Sequence, residues 1–187
     1  SIHRAHIHSV LAAAVRERLG DDAIVLDHRC EGVEQDESGV TVRFRDREPV
    51  RGAIAIGADG IHSVFRKQFF PNEGPPVYKG INMWRGTTRW KPFLSGESMV
   101  QVGWIDVGKM VIYPLERKPG PDGLQLINWV AELRSPRVVR QDWNVEGRIE
   151  DLRPTYGGWT FDWIDVAGMI EHAEQILEYP MVDRDPI

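Results

Sequence analysis

The sequence predicts a mixed α/β (α+β) chain made of two differently composed parts. An apolar run, Ile54-Ala55-Ile56, ends in a Gly-Ala-Asp-Gly turn that opens a helical segment. From residue 77 onward, strand-like stretches alternate with Gly- and Pro-containing turns, as in an antiparallel sheet. Composition breaks between the two: all seven tryptophans lie between Trp84 and Trp163, and Phe44 is the single aromatic among the first 60 residues. The breaker cluster Pro71-Asn72-Glu73-Gly74-Pro75-Pro76 marks the crossing.

The elements follow in order. Ile7, Val10, Leu11, Ala14 and Val15 recur at helical spacing, with Arg16, Glu17 and Arg18 on the other side and Gly20 as a stop. Runs 23–26, 39–44 and 53–56 read as strands. Val40, Val42 and Phe44 share one face opposite Thr41, Arg43 and Arg45, whereas 53–56 is apolar throughout and reads as buried on both faces. A helix of about nine residues should follow the Asp59 turn. Further strands are expected at 79–90, 98–105, 108–115 and 123–133, helices near 145–153 and 162–172, and a last strand over 176–182.

With 42% hydrophobic and 27% charged positions in 187 residues, the composition is that of a globular chain and excludes disordered and low-complexity classes. A net charge of −5 argues against a nucleic-acid or anionic-membrane partner. No apolar run approaches the roughly 20 residues of a membrane span. Cys30 stands alone, so no internal disulfide forms and a cytoplasmic setting is expected. The opening SIHRAHIH has no signal pattern and does not read as the natural start of a protein.

The 54–66 segment is the sharpest chemical signal. Glycines permit close backbone approach, and a helix N-terminus presents unpaired N–H groups to an anion. Asp59 either accepts from those groups as a cap or meets a ribose hydroxyl. Among His3, His6 and His8, the first two share a helical face, but no third ligand follows, so solvated histidines are expected rather than a metal site. Arg4 suits bidentate pairing with phosphate or carboxylate. No nucleophile elbow is present, and Cys30 has no partner motif. Trp84-Arg85 joins a stacking surface to an anion-pairing group, while the tryptophans and Tyr113 serve equally as pocket lining or sheet core.

Three segments together resemble the single-component FAD-dependent aromatic hydroxylases, the p-hydroxybenzoate hydroxylase-like group. IHRAHIHSVLAAAVRERLG resembles the family's HRxxLHxxL helix, GADGIHSVFR its GADGxxSxVR motif, and YPMVDRDPI the lead-in to its second flavin motif. The middle of the chain is most similar to the phenazine-carboxylate hydroxylase branch. The resemblance implies a partial FAD/NAD(P)-binding Rossmann-like domain over 1–76, a substrate-binding sheet domain over 77–175, and a return strand over 176–187. It also implies a monooxygenase in which NAD(P)H reduces FAD, O2 adds at flavin C4a, and the hydroperoxide hydroxylates an aromatic, phenazine-like substrate. Arg4, Asp59, Gly60 and Arg66 would then contact cofactor, Arg66 in a structural or a pyrophosphate-side role. Trp84, Arg85, Met110 and Tyr113 would contact substrate, on strands at 81–88, 100–105 and 109–114 that roof the flavin. No catalytic acid, base or metal ligand is implied.

The chain has neither the GxGxxG fingerprint nor the family's Gly-Asp motif. An internal fragment of a roughly twice-longer enzyme is therefore expected, inactive alone, with exposed apolar edges that favour a homo-oligomer. The competing reading is a non-catalytic α+β module that binds a ligand or partner.

Overall fold

The computed structural model describes residues 3–186. Ser1, Ile2 and Ile187 lie outside the described residues, Ile2 and Ile187 being the outermost residues of the first and third family-like segments. The chain divides into two units, Ile7–Val77 with Asp183–Ile187 and Tyr78–Val182 with Ser1–His6.

The first unit contains most of helix α1 (Arg4–Leu19), a 3-10 turn at Asp21–Ala23, and an antiparallel meander of β1 (Cys30–Asp36), β2 (Gly39–Phe44) and β3 (Arg47–Gly52). Helix α2 (Val64–Phe69) follows the Gly-Asp turn. Alternation in β2 comes out as its pattern requires: Val40 is buried, Val42 and Phe44 are half-buried, and Arg43 and Arg45 are exposed. The turn into β2 is closed by Asp36, which accepts from the Ser38 N–H at 2.8 Å and its hydroxyl at 2.7 Å. Gln68 ties α2 to the meander. Its Oε1 accepts from the Val33 N–H at 2.9 Å while its Nε2 donates to the Val33 carbonyl at 2.5 Å, so one amide side chain serves both backbone groups of a β1 residue.

Two expectations fail in this unit. Residues 23–26 form no strand, and neither do 53–56. Ile54 and Ile56 are 83% and 87% exposed, the reverse of the burial predicted for them. An all-apolar parallel strand needs neighbours on both edges and layers on both faces, and no such neighbours exist among the described residues. For the same reason Ile7, Val10 and Leu11 of α1 are exposed, although the helix forms where the periodicity puts it.

The second unit is a five-stranded sheet. Its strands are β4 (Val77–Trp90), β5 (Val100–Trp104), β6 (Gly108–Pro114), β7 (Gln125–Arg134) and β10 (Ile176–Asp183), in the spatial order β10-β4-β7-β6-β5. Between β7 and β10 come α3 (Ile149–Tyr156), the two-residue strands β8 (Thr160–Phe161) and β9 (Ile164–Asp165), and α4 (Val166–Glu171). β10 belongs to this sheet, and the chain passes to the other unit at Asp183.

The helices cover one face of the sheet. Trp84, Met110, Ile112, Ile127, Trp129 and Ala131 meet Leu152, Tyr156, Val166, Met169 and Ile170 in one core. At its centre the Trp129 ring lies against Gly86, its direct cross-strand partner; a Cβ there would sit 2.5 Å from the ring. The Trp129 indole N–H donates to Thr88 Oγ1 at 3.0 Å, and that hydroxyl donates to the Met169 carbonyl at 2.9 Å, joining sheet to α4. The Tyr156 hydroxyl reaches the Lys109 and Glu132 carbonyls, each at 3.0 Å. Gly86→Ala should therefore overpack the core and destabilise the unit by about 1–3 kcal/mol. A lowered urea midpoint with an unchanged m-value would show this; an unchanged midpoint would contradict it.

Candidate functional site

In the Asp59 turn, Gly60 has a φ of +75°, a conformation that favours glycine. The Asp59 carboxylate accepts from the Val64 N–H at 2.7 Å and the Phe65 N–H at 3.5 Å, and Ser63, the N-cap, accepts from the Arg66 N–H at 2.9 Å. Of the two roles the sequence left open for Asp59, the structure shows the cap: first-turn donors are taken up within the chain. Slight burial acts to raise the Asp59 carboxyl. Hydrogen bonds from the Ser63 hydroxyl and the Val64 and Phe65 N–H groups outweigh it and hold the group below the ordinary carboxylate range. Gly57 lies under the Phe65 ring, where a Cβ would be 2.9 Å away. A depression of about 360 Å³ remains beside the turn, lined by Gly57, Asp59, Gly60, Ser63, Phe65 and Arg66.

Although Arg66 borders this depression, its guanidinium is engaged within the chain. Its Nε donates to both Glu73 oxygens at 2.9 and 2.8 Å, and an Nη donates to the Asp185 carbonyl at 2.7 Å. Arg184 completes the cluster, donating to Glu73 Oε2 at 3.0 Å, the Gly74 carbonyl at 2.8 Å and the Ile61 carbonyl at 3.0 Å. One carboxylate and two guanidiniums thereby hold the 183–185 segment against the 61–74 segment. Glu73 and Arg184 are the site residues that sequence reasoning missed. The breaker composition around Glu73 hid it, and its partner is 111 positions away.

In the sheet unit, strand alternation separates the four residues assigned to substrate. Trp84 and Met110 face the helices, 3% and 0% exposed, and have no surface for a ligand; they are core residues. Arg85 and Tyr113 take the opposite face, because successive side chains alternate. Their rows there are Arg85–Val130–Val111 and Thr87–Asn128–Tyr113. Arg85 lies over the Trp143 ring, 4.5 Å from its centroid, and donates to the Trp143 carbonyl at 3.0 Å. Burial and the positive charge of Arg4 both lower its proton affinity. At the start of α1, His3 Nδ1 accepts from the Ala5 N–H at 3.2 Å and its ring stands edge-on to His6. Among the described residues no three His, Cys, Asp or Glu side chains converge as metal ligands.

No protein-family model matches the chain. The phenazine 1,6-dicarboxylic acid hydroxylase PhzS of Lysobacter antibioticus is 34% identical over 196 residues, an alignment that covers 100% of this chain and 48% of that protein. The 3-amino-4-hydroxybenzoate 2-monooxygenase PtnB3 of Streptomyces platensis is 28% identical, with 98% of this chain and 43% of that protein covered. Among solved structures, a salicylate hydroxylase substrate complex matches all of the chain at a TM-score of 0.70 and 20% identity, over 47% of its own length. Klebsiella pneumoniae HpxO, complexed with FAD and uric acid, matches 96% of the chain and 43% of itself at 0.67 and 21%.

This chain is a homologue of the FAD-dependent aromatic hydroxylases. It has the α/β fold of their structures and spans about half the length of the curated hydroxylases it matches. No helix among its described residues is long and apolar enough to cross a membrane.

The ion cluster yields a pH prediction. Hydrogen bonds from Arg66, reinforced by the charges of Arg66 and Arg184, hold Glu73 below the ordinary carboxylate range. Its contribution is present above the unfolded-state pKa and lost as pH falls through the lower folded value. Glu73→Gln should reduce the urea midpoint at neutral pH, and the gap from the parent should close below about pH 4. A gap constant down to pH 3 would contradict this assignment.

Proposed function

We propose that this chain supplies the Asp59 turn and the substrate-binding sheet of an FAD- and NAD(P)H-dependent monooxygenase that hydroxylates an acidic, phenazine-like aromatic substrate with O2. The observation that carries this reading is the 34% identity, along the whole chain, to a hydroxylase of a phenazine dicarboxylic acid. When bound, FAD reduced by NAD(P)H supplies the oxygen-activating chemistry that the side chains lack. The depression beside Gly57, Asp59 and Gly60 fits contact with such a cofactor. Asp59 and Gly60 form the contact surface there; Arg4, at the start of α1, is a separate cofactor contact in this reading. Arg66 acts indirectly, because its guanidinium is engaged by Glu73 and the Asp185 carbonyl.

The sheet's task is to bind, orient and exclude water. Val111 and Val130 offer an apolar strip to a flat ring, flanked by the hydroxyls of Thr87 and Tyr113. Arg85 pairs with the substrate carboxylate at one end of the strip. Its aim is set by the backbone, since it is the strand neighbour of buried Trp84. A second reading, a binding module without turnover, draws support from the saturated first turn of α2.

An FAD titration followed by flavin fluorescence, with NAD(P)H-dependent hydroxylation of phenazine-1-carboxylate as the activity readout, separates the two. In the whole protein to which the chain contributes these parts, the enzyme reading expects tight FAD binding and hydroxylated product. Ligand binding without FAD uptake or turnover would favour the module. Arg85→Ala should raise the KM for aromatic acids about ten- to hundredfold, the scale of a lost hydrogen bond to a charged group, with a smaller change in kcat. An unchanged KM would remove Arg85 from the substrate site.

A further inference from the structure

From Tyr78 to Val182, every described arginine except Arg85 has a carboxylate within 4.0 Å. Arg85 is held instead by the π-face and carbonyl of Trp143. The difference matters chemically. A carboxylate partner cancels a guanidinium's charge and occupies its donors, whereas an aromatic ring attracts the cation through its quadrupole and leaves the net charge intact.

Trp143 is itself fixed from behind. Its ring is stacked on Tyr179, with centroids 3.7 Å apart and planes within 6°, and Tyr179 is buried in β10. With Tyr179 on one side of the indole, the Arg85 guanidinium takes the other. The segment carrying Trp143 is pinned at both ends. Arg137 donates to the buried Glu178 at 2.7 and 2.8 Å, and Glu178 also accepts from Asn82 Nδ2 at 2.8 Å. On the other side of Trp143, the Glu178 N–H donates to the Val145 carbonyl at 2.8 Å, and the Gly147 N–H to the Ile176 carbonyl at 2.9 Å.

We propose that Trp143 is the positioning residue for Arg85. Held between Tyr179 and the guanidinium, it presents an un-neutralised cation on the open sheet face and so sets preference for anionic over neutral aromatic ligands. This inference rests on the reading of Arg85 as the carboxylate partner. Arg4 strengthens the preference: it too has no carboxylate partner among the described ion pairs, and its charge reaches Arg85.

The test is calorimetric binding of two probes, phenazine-1-carboxylate and phenazine-1-carboxamide, to the FAD-loaded holoenzyme. Trp143→Ala should weaken the acid at least tenfold and change the amide less than twofold, so the retained amide binding shows that the variant is folded. Trp143→Phe, which keeps an aromatic face, should recover most of the loss. Arg85→Ala should abolish the acid preference, and adding Trp143→Ala to it should cost nothing further. If Arg85→Ala collapses the preference but Trp143→Ala leaves it intact, the positioning role is wrong and the Arg85 reading survives. If Arg85→Ala leaves the preference unchanged, both fall. Equal weakening of acid and amide by Trp143→Ala would reduce Trp143 to a packing residue and overturn the proposal.

Discussion

The sheet unit depends on one close approach, that of the Trp129 ring to the backbone of Gly86. Only a residue without a side chain lets a large ring come this close to the neighbouring strand, and the ring's position then fixes where its N–H points. That N–H reaches Thr88, two residues along on the same face, and Thr88 reaches the backbone of α4. The helix layer is therefore located by a directional chain as well as by apolar burial. With one face closed in this way, the other is left for Arg85, Thr87, Tyr113 and Asn128. Which residues are free to meet a ligand follows from the packing of residues that are not.

Much of this was legible in the sequence. Strands β4 to β7 and β10 formed close to their expected positions, because their alternation is strong and Gly or Pro stands at or within two residues of both ends of β4, β6 and β7. The first half was harder. β1, with Glu31, Glu34 and Gln35, has no clear apolar period, and β3 is exposed along its whole length. Residues 53–56 carry the composition of a central strand, yet composition specifies an environment, and that environment is absent among the described residues. α2 is six residues long rather than about nine, since Phe70 takes a non-helical conformation.

The site was readable in kind more than in detail. Asp59 and Gly60 stood out from their spacing, and their turn forms as a capped helix entry. In the sheet, adjacency misled. Trp84 and Arg85 read as a pair, but consecutive strand residues face opposite ways, so one became core and the other surface. Trp143 gave no local signal, because its partners Arg85 and Tyr179 lie far away in sequence. Glu73 likewise becomes interpretable only when Arg184 arrives from the end of the chain.

The grip of Gln68 on Val33 bears on which sequences can keep this geometry. A backbone N–H needs an acceptor and a backbone carbonyl a donor, and Gln68 meets both with one planar group. An ionised glutamate can only accept, a lysine can only donate, and asparagine is a methylene shorter. In the vocabulary of substitution, position 68 is constrained to an amide of one length although its surroundings are largely open to water. A surface site of that kind would look permissive by burial and prove selective by chemistry.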